Sequence, residues 1–429
     1  LEMKFSIITF GCRVNQADSL QIEDALRVRG AENVAAHEAD VLIVNTCSVT
    51  ASADQGARQT IRRVARNNPN IRIFATGCYA TRRPDEISSL PNVVRVIDNQ
   101  SKAVLTDFLD KEIEQSTSDR YGNGEGACGA TLQPGVGGRT ALTLRVQTGC
   151  NETCSYCIIP KTRGQGQSLA LSRVLDQVKR GVDAGYKEIV ITGVHLGSYG
   201  HDLQDGTTLL TLLRALADWP ENVLFRISSL EPMDCTSDIV RLVAESRRLA
   251  PHFHLPLQHG CDQLLRAMQR PYSTSFYKQL IEEIHQYIPD ASIGTDIIVG
   301  FPGENVNHFS QTITLLESLP LSHVHVFPYS DRPGTTATQL PDKVKGVDIR
   351  SRGRAVREVG ERLTRQFQES QIGKTRRALT LADGSRAVTD NYLKVKLNRL
   401  RSRNEWVAIT VTGKTGALHG VEPSENIAH

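Results

Sequence analysis

One short stretch limits this chain more than any other. In TGCNETCSYCIIP, Cys150, Cys154 and Cys157 stand at C-x3-C-x2-C spacing directly behind an apolar run, residues 142–147. Such spacing arises by chance in fewer than about one chain in a hundred of this composition, so it reads as a metal loop. Zinc would want a fourth protein ligand at short spacing, and no His or Cys pair nearby supplies it. Three thiolates suit instead a 4Fe–4S cluster with one iron left open to a small ligand.

A second trio is spread more widely. FSIITFGC (5–12), VLIVNTC (41–47) and IRIFATGC (71–78) are apolar runs that each stop at a cysteine. With helix-like segments at 17–29, 53–67 and 84–89 and a further run at 93–97, the first hundred residues read as an α/β domain around a buried, mainly parallel sheet. Ligands of such sheets bind beyond the carboxyl ends of the strands, so Cys12, Cys47 and Cys78 are expected to converge there.

A Gly-rich passage with turn chemistry follows (116–138) and reads as a linker; Cys128 within it reads as incidental. Six successive βα units are then expected. Their strands fall near 142–147, 187–192, 223–228, 252–256, 292–299 and 322–327, which favours a partial (β/α)6 barrel with its chemistry at the strand C-termini. Residues 340–370 read as a charged amphipathic helix. The last sixty alternate with period two, as a small antiparallel β-barrel does. The expected domains are 3–110, a linker 111–138, 139–368 and 369–429.

The chain of 429 residues, 39% hydrophobic and 23% charged, is long enough for two or three domains and carries no apolar run near the roughly 18 residues that span a bilayer. No charged-then-apolar leader opens it, and Leu1-Glu2 ahead of Met3 are set aside from the fold reading. The expected location is cytoplasmic, with no membrane partner; nine cysteines in a reducing compartment hold metal or do chemistry more often than they form bridges. The net charge of +3 is small, but Lys374, Arg376, Arg377, Arg386, Lys394, Lys396, Arg399, Arg401, Arg403 and Lys414 face only Asp383, Asp390 and Glu405 within 374–414. A basic end on a nearly neutral chain suggests a polyanion contact.

At the cysteine loop the residues resemble a known signature: C-x3-C-x-aromatic-C, with Tyr156 as the aromatic, is that of the radical S-adenosylmethionine (SAM) enzymes. The order of domains resembles the methylthiotransferases of that superfamily over essentially the whole chain. TFGCRVNQADS (9–19), NTCSVT (45–50) and ATGCYA (75–80) are similar to the loops that hold this family's second 4Fe–4S cluster. HLPLQHGCDQLLRAMQRPY (254–272), GTDIIVGFPGE (294–304) and PYSDRPGT (328–335) resemble its barrel segments. The resemblance implies two 4Fe–4S clusters and SAM: Cys150, Cys154 and Cys157 hold the cluster that cleaves SAM, and Cys12, Cys47 and Cys78 hold the one that presents sulfur. One SAM methylates that sulfur and a second supplies a 5′-deoxyadenosyl radical. Gly193 in a Gly-rich turn, Ser229, Glu231 and Gly300 are the further expected SAM contacts; a capping role is an equal alternative for Glu231.

The C-terminal segment resembles a TRAM domain, an RNA-binding barrel, which implies contact with a tRNA anticodon stem-loop by backbone charge. Tyr392 and Trp406 are candidates for base stacking or for core packing. GCRVNQ with TDNYLKV (389–395) most resembles the branch acting on N6-threonylcarbamoyladenosine, ahead of branches acting on isopentenyladenosine or a ribosomal-protein aspartate. An RNA-binding protein with structural clusters is the non-enzymatic alternative. The chemistry further implies an electron donor such as flavodoxin or ferredoxin, and a sulfur source. Where relatives carry an arginine in the run after the cluster loop, this chain has Gln167. Cys235 and Cys261 read as core residues, and His195, His254 and His259 as hydrogen-bonded structural histidines.

Overall fold

The computed structural model describes residues 3–105, 140–414 and 416–422. The expected linker and Cys128 lie outside them. The described residues form two compact units: one of 3–105, 148–152 and 158–165, the other of 140–147, 153–157, 166–414 and 416–422.

The first unit is built on five parallel strands, β1 (Lys4–Thr9), β2 (Glu32–Asn33), β3 (Val41–Thr46), β4 (Arg72–Gly77) and β5 (Val93–Val96), in the order β2-β1-β3-β4-β5. β3 lies at the centre, with Ile7 beside Ile43 and Ile43 beside Phe74. Its alternate residues face opposite sides, which is why VLIV has no polar break. Leu42 and Val44 join Ile61, Ile73 and Tyr79 on one side; Val41 and Ile43 join Phe5, Leu26 and Phe74 on the other. Each such side chain contributes about 1.5–3 kcal/mol through burial, so truncating the fully buried Ile43 to Ala would cost about 2–5 kcal/mol. The helices Arg13–Val28 and Ala51–Asn67 link the strands; the second starts where Thr50 Oγ1 accepts a hydrogen bond from the Ala53 N–H (3.2 Å).

The second unit begins with β6 (Leu142–Arg145), β7 (Gln147–Thr148, its first residue here) and β8 (Gln167–Ser168). β9 (Glu188–Thr192), β10 (Leu224–Ile227), β11 (His252–His254), β12 (Ser292–Val299) and β13 (His323–Pro328) then alternate with helices Leu171–Asp183, Leu209–Ala217, Ser237–Glu245, Thr274–Tyr287 and Val306–Glu317. Strands β6, β9 and β10 form one parallel sheet and β11, β12 and β13 another. Isolated parallel bridges, Phe225 with Leu249 and Ser229 with His254, join the two halves into the expected six-stranded partial barrel. Helix Gly346–Gln371 packs against β13, where Gly360 lets Val324 approach.

The chain ends in a closed barrel of β14 (Thr375–Thr380), β15 (Arg386–Thr389), β16 (Lys394–Leu397), β17 (Trp406–Lys414) and β18 (Ala417–Val421). The pairings are antiparallel except one: β16 and β18 run parallel, with Lys396 beside His419. Period-two alternation does not distinguish the two directions, so the expected antiparallel barrel departs from the observed one at this pairing. This barrel is seated at the amino ends of the partial-barrel strands. Asp290 binds Lys374 and lies 3.4 Å from Arg376, Asn391 Nδ2 donates to Asp290 O (2.9 Å), and the Trp406 indole donates to Asn222 O (3.4 Å). No helix among the described residues is long and apolar enough to cross a membrane.

Candidate metal centres

Because β1, β3 and β4 are neighbours, the residues that follow them are brought side by side. Cys12 sits at the N-cap of helix Arg13–Val28, Cys47 follows β3, and Cys78 opens the short helix Cys78–Arg82. Cys12 is exposed, the other two buried. Gly11, at φ +91°, lies so close to Cys47 that a Cβ there would come within 2.4 Å of its Sγ; only glycine fits this approach. Burial pushes the Cys47 thiol up to about 12; a hydrogen bond from the Val49 N–H works against the rise, and Cys12, Cys78 and Asp54 add to it. Cys12 and Cys78 thus lie close enough to Cys47 to oppose its ionisation. Sulfur donors massed where a lone thiolate is costly suit a metal cluster, whose cationic irons supply the missing compensation.

A buried polar shelf carries these loops. Asn45 Nδ2 donates to Asn15 O (2.8 Å) and Ser19 Oγ (2.9 Å), and Asn15 Nδ2 to Phe10 O (2.8 Å) and Thr46 O (2.9 Å). Asp18 accepts from Lys102 Nζ (2.8 Å) and Arg163 Nη2 (3.0 Å), and Arg163 also reaches Asn15 Oδ1 (2.5 Å). Burial opposes the Arg163 charge, but Cys78, Asp18 and Cys12 outweigh it and hold its pKa above the usual guanidinium value. Burial lowers that of Lys102 despite Asp18. Asn99 Nδ2 lies 3.6 Å from Cys78 Sγ and donates to Thr162 O (2.9 Å). Arg82 binds Ser48 Oγ (2.8 Å) and Asp54 (2.6 Å), fastening the chain after Cys47 to the helix that Cys78 begins. Sequence reasoning found the three cysteines but neither this shelf nor Arg163, which belongs to the RGQGQS run where only Gln167 drew notice.

The second trio divides between the units. Cys150 belongs to the first, where its N–H donates to Gly164 O (3.0 Å) and its Sγ accepts from the Glu152 N–H (3.4 Å). Cys154 and Cys157 belong to the second, joined by Cys157 N–H to Cys154 O (3.0 Å). There Ser155 anchors the loop, donating to Met268 O (3.1 Å) and Ala267 O (2.8 Å) and accepting from the Ala337 N–H (2.7 Å). Tyr156 packs against Cys261, Leu264, Met268, Ile298, Phe301 and Ala337. The buried Arg270 donates to Cys154 Sγ (3.0 Å) and to the Tyr272 hydroxyl (3.0 Å), and pairs with Glu231. Burial disfavours its charge, yet Tyr156, Tyr272 and Cys154 hold its pKa above the usual value. A cation fixed against the sulfur favours the thiolate that cluster ligation requires.

The other expected SAM contacts are placed as follows. Gly193 opens a turn held by Gln147 Oε1, which accepts from the Val194 and His195 N–H groups (2.9 Å each). Ser229 Oγ lies 2.9 Å from His254 Nδ1. Glu231 makes no side-chain cap; its carboxylate goes to Arg270. Gly300, at φ +80°, donates its N–H to Glu304 (2.9 Å), and a Cβ there would strike Ile349 at 2.4 Å, a packing reason for glycine that needs no ligand. Cys235 and Cys261 are buried, as read. His195 meets Asp234 (2.8 Å), His254 meets Asp296 (3.0 Å) and His259 Nδ1 accepts from the Cys261 N–H (3.1 Å), so all three histidines are hydrogen-bonded. Tyr392 and Trp406 pack within the unit: Arg226 lies over the Tyr392 ring (4.4 Å) and Arg377 over Trp406 (3.6 Å).

Comparison with known proteins matches both parts of the chain. Residues 4–98 match an uncharacterized protein family, UPF0004, and residues 144–316 the Radical SAM superfamily. A protein of Aquifex aeolicus named threonylcarbamoyladenosine tRNA methylthiotransferase MtaB is 35% identical over 415 residues, 95% of this chain and 100% of that one. The Bacillus subtilis protein of the same name is 36% identical over 341 residues, 78% of this chain and 75% of its own. An Oleidesulfovibrio alaskensis protein named tRNA-2-methylthio-N(6)-dimethylallyladenosine synthase is 32% identical, with 87% and 82% covered. Among solved structures, the radical SAM methyltransferase TsrM of Kitasatospora setae, with cobalamin and a 4Fe–4S cluster bound, superposes with a TM-score of 0.57 over 79% of this chain and 77% of that one; at 16% identity the likeness is one of fold.

Proposed function

The chain belongs to the radical SAM methylthiotransferase family, and we propose that within it the chain acts on tRNA, converting N6-threonylcarbamoyladenosine 3′ of the anticodon to its 2-methylthio derivative. The observation that carries this choice is the end-to-end similarity to relatives bearing that name. The family works with two 4Fe–4S clusters and SAM. In this reading Cys12, Cys47 and Cys78 hold one cluster and Cys150, Cys154 and Cys157 the other, across domains of 3–110 and 139–368 and ahead of an RNA-binding domain of 369–429. When bound, the two clusters supply one-electron cleavage of SAM to a 5′-deoxyadenosyl radical and a sulfur that takes a methyl group from a second SAM.

The chain's own residues do the rest. Arg270 donates to the Cys154 sulfur and pairs with Glu231, which fixes a cation beside the loop. Tyr156 and its apolar neighbours exclude water beside Cys154 and Cys157. Gly193, Ser229, Glu231 and Gly300 are the proposed SAM contacts, with the Gly193 turn admitting the methionyl amine to backbone. Lys394, Lys396 and Arg399, exposed on and beside β16, are proposed to take phosphates of the anticodon stem-loop. A flavodoxin or ferredoxin as reductant, a sulfur source, and the cytoplasm as the place of action complete the proposal.

The test is nucleoside mass spectrometry of tRNA from a deletion strain, beside SAM cleavage by the anaerobically reconstituted chain. Loss of 2-methylthio-N6-threonylcarbamoyladenosine is expected. Loss confined to the dimethylallyl nucleoside, or to a modified ribosomal protein, would replace the substrate; a reconstituted chain inert toward SAM would leave only the RNA-binding reading.

A further inference from the structure

The helix Ala51–Asn67, which follows the Cys47 loop, carries four arginines against a single aspartate. Its first two charged groups are taken. Asp54 holds Arg82, and Arg58 meets Glu86. The other three, Arg62, Arg63 and Arg66, are exposed and line an open groove of about 490 Å³ together with Gln59 and Pro91. No described carboxylate pairs with any of these three.

Their spacing makes one surface of them. Gln59, Arg62, Arg63 and Arg66 stand three or four positions apart, so their side chains leave the helix along one stripe, with neighbouring Cβ atoms about 5–6 Å from each other. Arg62 and Arg66 are like charges at i,i+4, and Arg63 and Arg66 at i,i+3, which by itself weakens a helix. Only Arg66 lies in the last turn, where the helix dipole favours a cation. Local stability therefore accounts for neither Arg62 nor Arg63. A polyanion laid along the stripe does, because a guanidinium fork takes a phosphate through two parallel hydrogen bonds and no acid competes for it here.

The groove lies at the far pole of its unit from the cysteines. The helix runs back along the sheet from the end of β3 to the start of β4, so Arg66, fifteen residues beyond Ala51, is about 22 Å from the Cys47 end. Pro91, two residues ahead of β5, likewise marks the amino ends of the strands. We propose that Arg62, Arg63 and Arg66 hold the RNA substrate by phosphates distant from the nucleotide under modification, a contact additional to that of β16; this rests on the tRNA reading above. Such contacts position the RNA and read no base. Neutralising them weakens every tRNA alike and releases fewer counterions on binding.

The test measures, by fluorescence anisotropy across a potassium chloride series, how the reconstituted full chain binds a full-length tRNA bearing N6-threonylcarbamoyladenosine and one with plain adenosine there. The triple variant Arg62→Gln, Arg63→Gln, Arg66→Gln is expected to bind both about tenfold or more weakly, with the slope of log affinity against log salt smaller by about two to three. Each single substitution should lower the slope by about one. Lysine at the same three positions keeps the charge and should keep most of the slope. Exposed positions tolerate such changes, so iron content and thermal midpoint should match those of the unaltered chain. Unaltered affinity and slope in the folded triple variant, or in all three single variants, overturn the groove contact and leave the tRNA reading standing. An unaltered chain with no salt-dependent affinity for tRNA overturns both. Unchanged tRNA binding beside lost binding to poly-L-glutamate overturns the RNA contact in favour of an acidic protein surface.

Discussion

Arg163 Nη2 lies 3.0 Å from Asp18 Oδ2, and the two side chains are 3% and 1% exposed. A helix residue from the first thirty positions and an arginine that follows the cysteine loop are thus one buried pair, with Lys102 as the second cation on the same carboxylate. Removing one partner of such a pair costs about 3–5 kcal/mol, since the remaining charge is stranded. Arg163→Met is expected to lower the thermal midpoint and reduce iron bound by the Cys12, Cys47 and Cys78 trio. Arg163→Lys should not restore it, because a point charge cannot reach Asn15 and Asp18 together. Full iron content with an unchanged melt would sink the assignment.

The two trios should separate genetically. Cys154→Ala is expected to abolish SAM cleavage. Cys47→Ala should leave some cleavage and no methylthiolated product, as measured by 5′-deoxyadenosine and nucleoside mass spectrometry. Full product from Cys47→Ala would refute the division of labour.

Gly11→Ala tests the close approach to Cys47. A methyl group in a site only 2.4 Å from Sγ, at φ +91°, forces the loop to shift, at about 1–3 kcal/mol for the backbone strain alone. The sheet has its own core, so far-UV circular dichroism should stay unchanged while iron bound by this trio falls. Normal iron content would mean that the loop yields freely.

The seat of the small barrel should respond to acid. Burial works to raise the Asp290 carboxyl, but Lys374, Gln371 and Arg376 more than reverse it, so its folded pKa lies below the ordinary value. The stability it contributes is present above about pH 4 and lost as pH falls through the lowered folded pKa. Trp406, bonded to Asn222 O, reports on this seat. Its fluorescence should change below about pH 4, and Asp290→Asn should flatten that change; identical profiles would dismiss Asp290 as the cause.

The features legible in the sequence are those written locally. FSIITFGC, VLIVNTC and IRIFATGC show their strands through unbroken apolar runs, and parallel topology then brings their ends together. The placing of His323 beside Gly294 and of His325 beside Asp296 was not legible, because two histidines alternating along a strand look like any half-polar edge until β12 is laid beside them. Arg163 and Asp18 are 145 positions apart, a distance over which no periodicity speaks. The basic end looked richer in free charge than it is, since Asp290, far outside that segment, neutralises Lys374 and Arg376.

The partial barrel is two three-stranded sheets meeting at a seam, where Phe225 N–H binds Arg248 O (2.7 Å), Ala250 N–H binds Phe225 O (2.8 Å) and Leu230 N–H binds His254 O (2.9 Å). Such a wall has a crease. Each half keeps its own ladder, and isolated bridges rather than a continuous ladder tie β10 to β11. Ser229 and His254 face each other across that line, so the seam is closed there by a side-chain contact as well as by backbone.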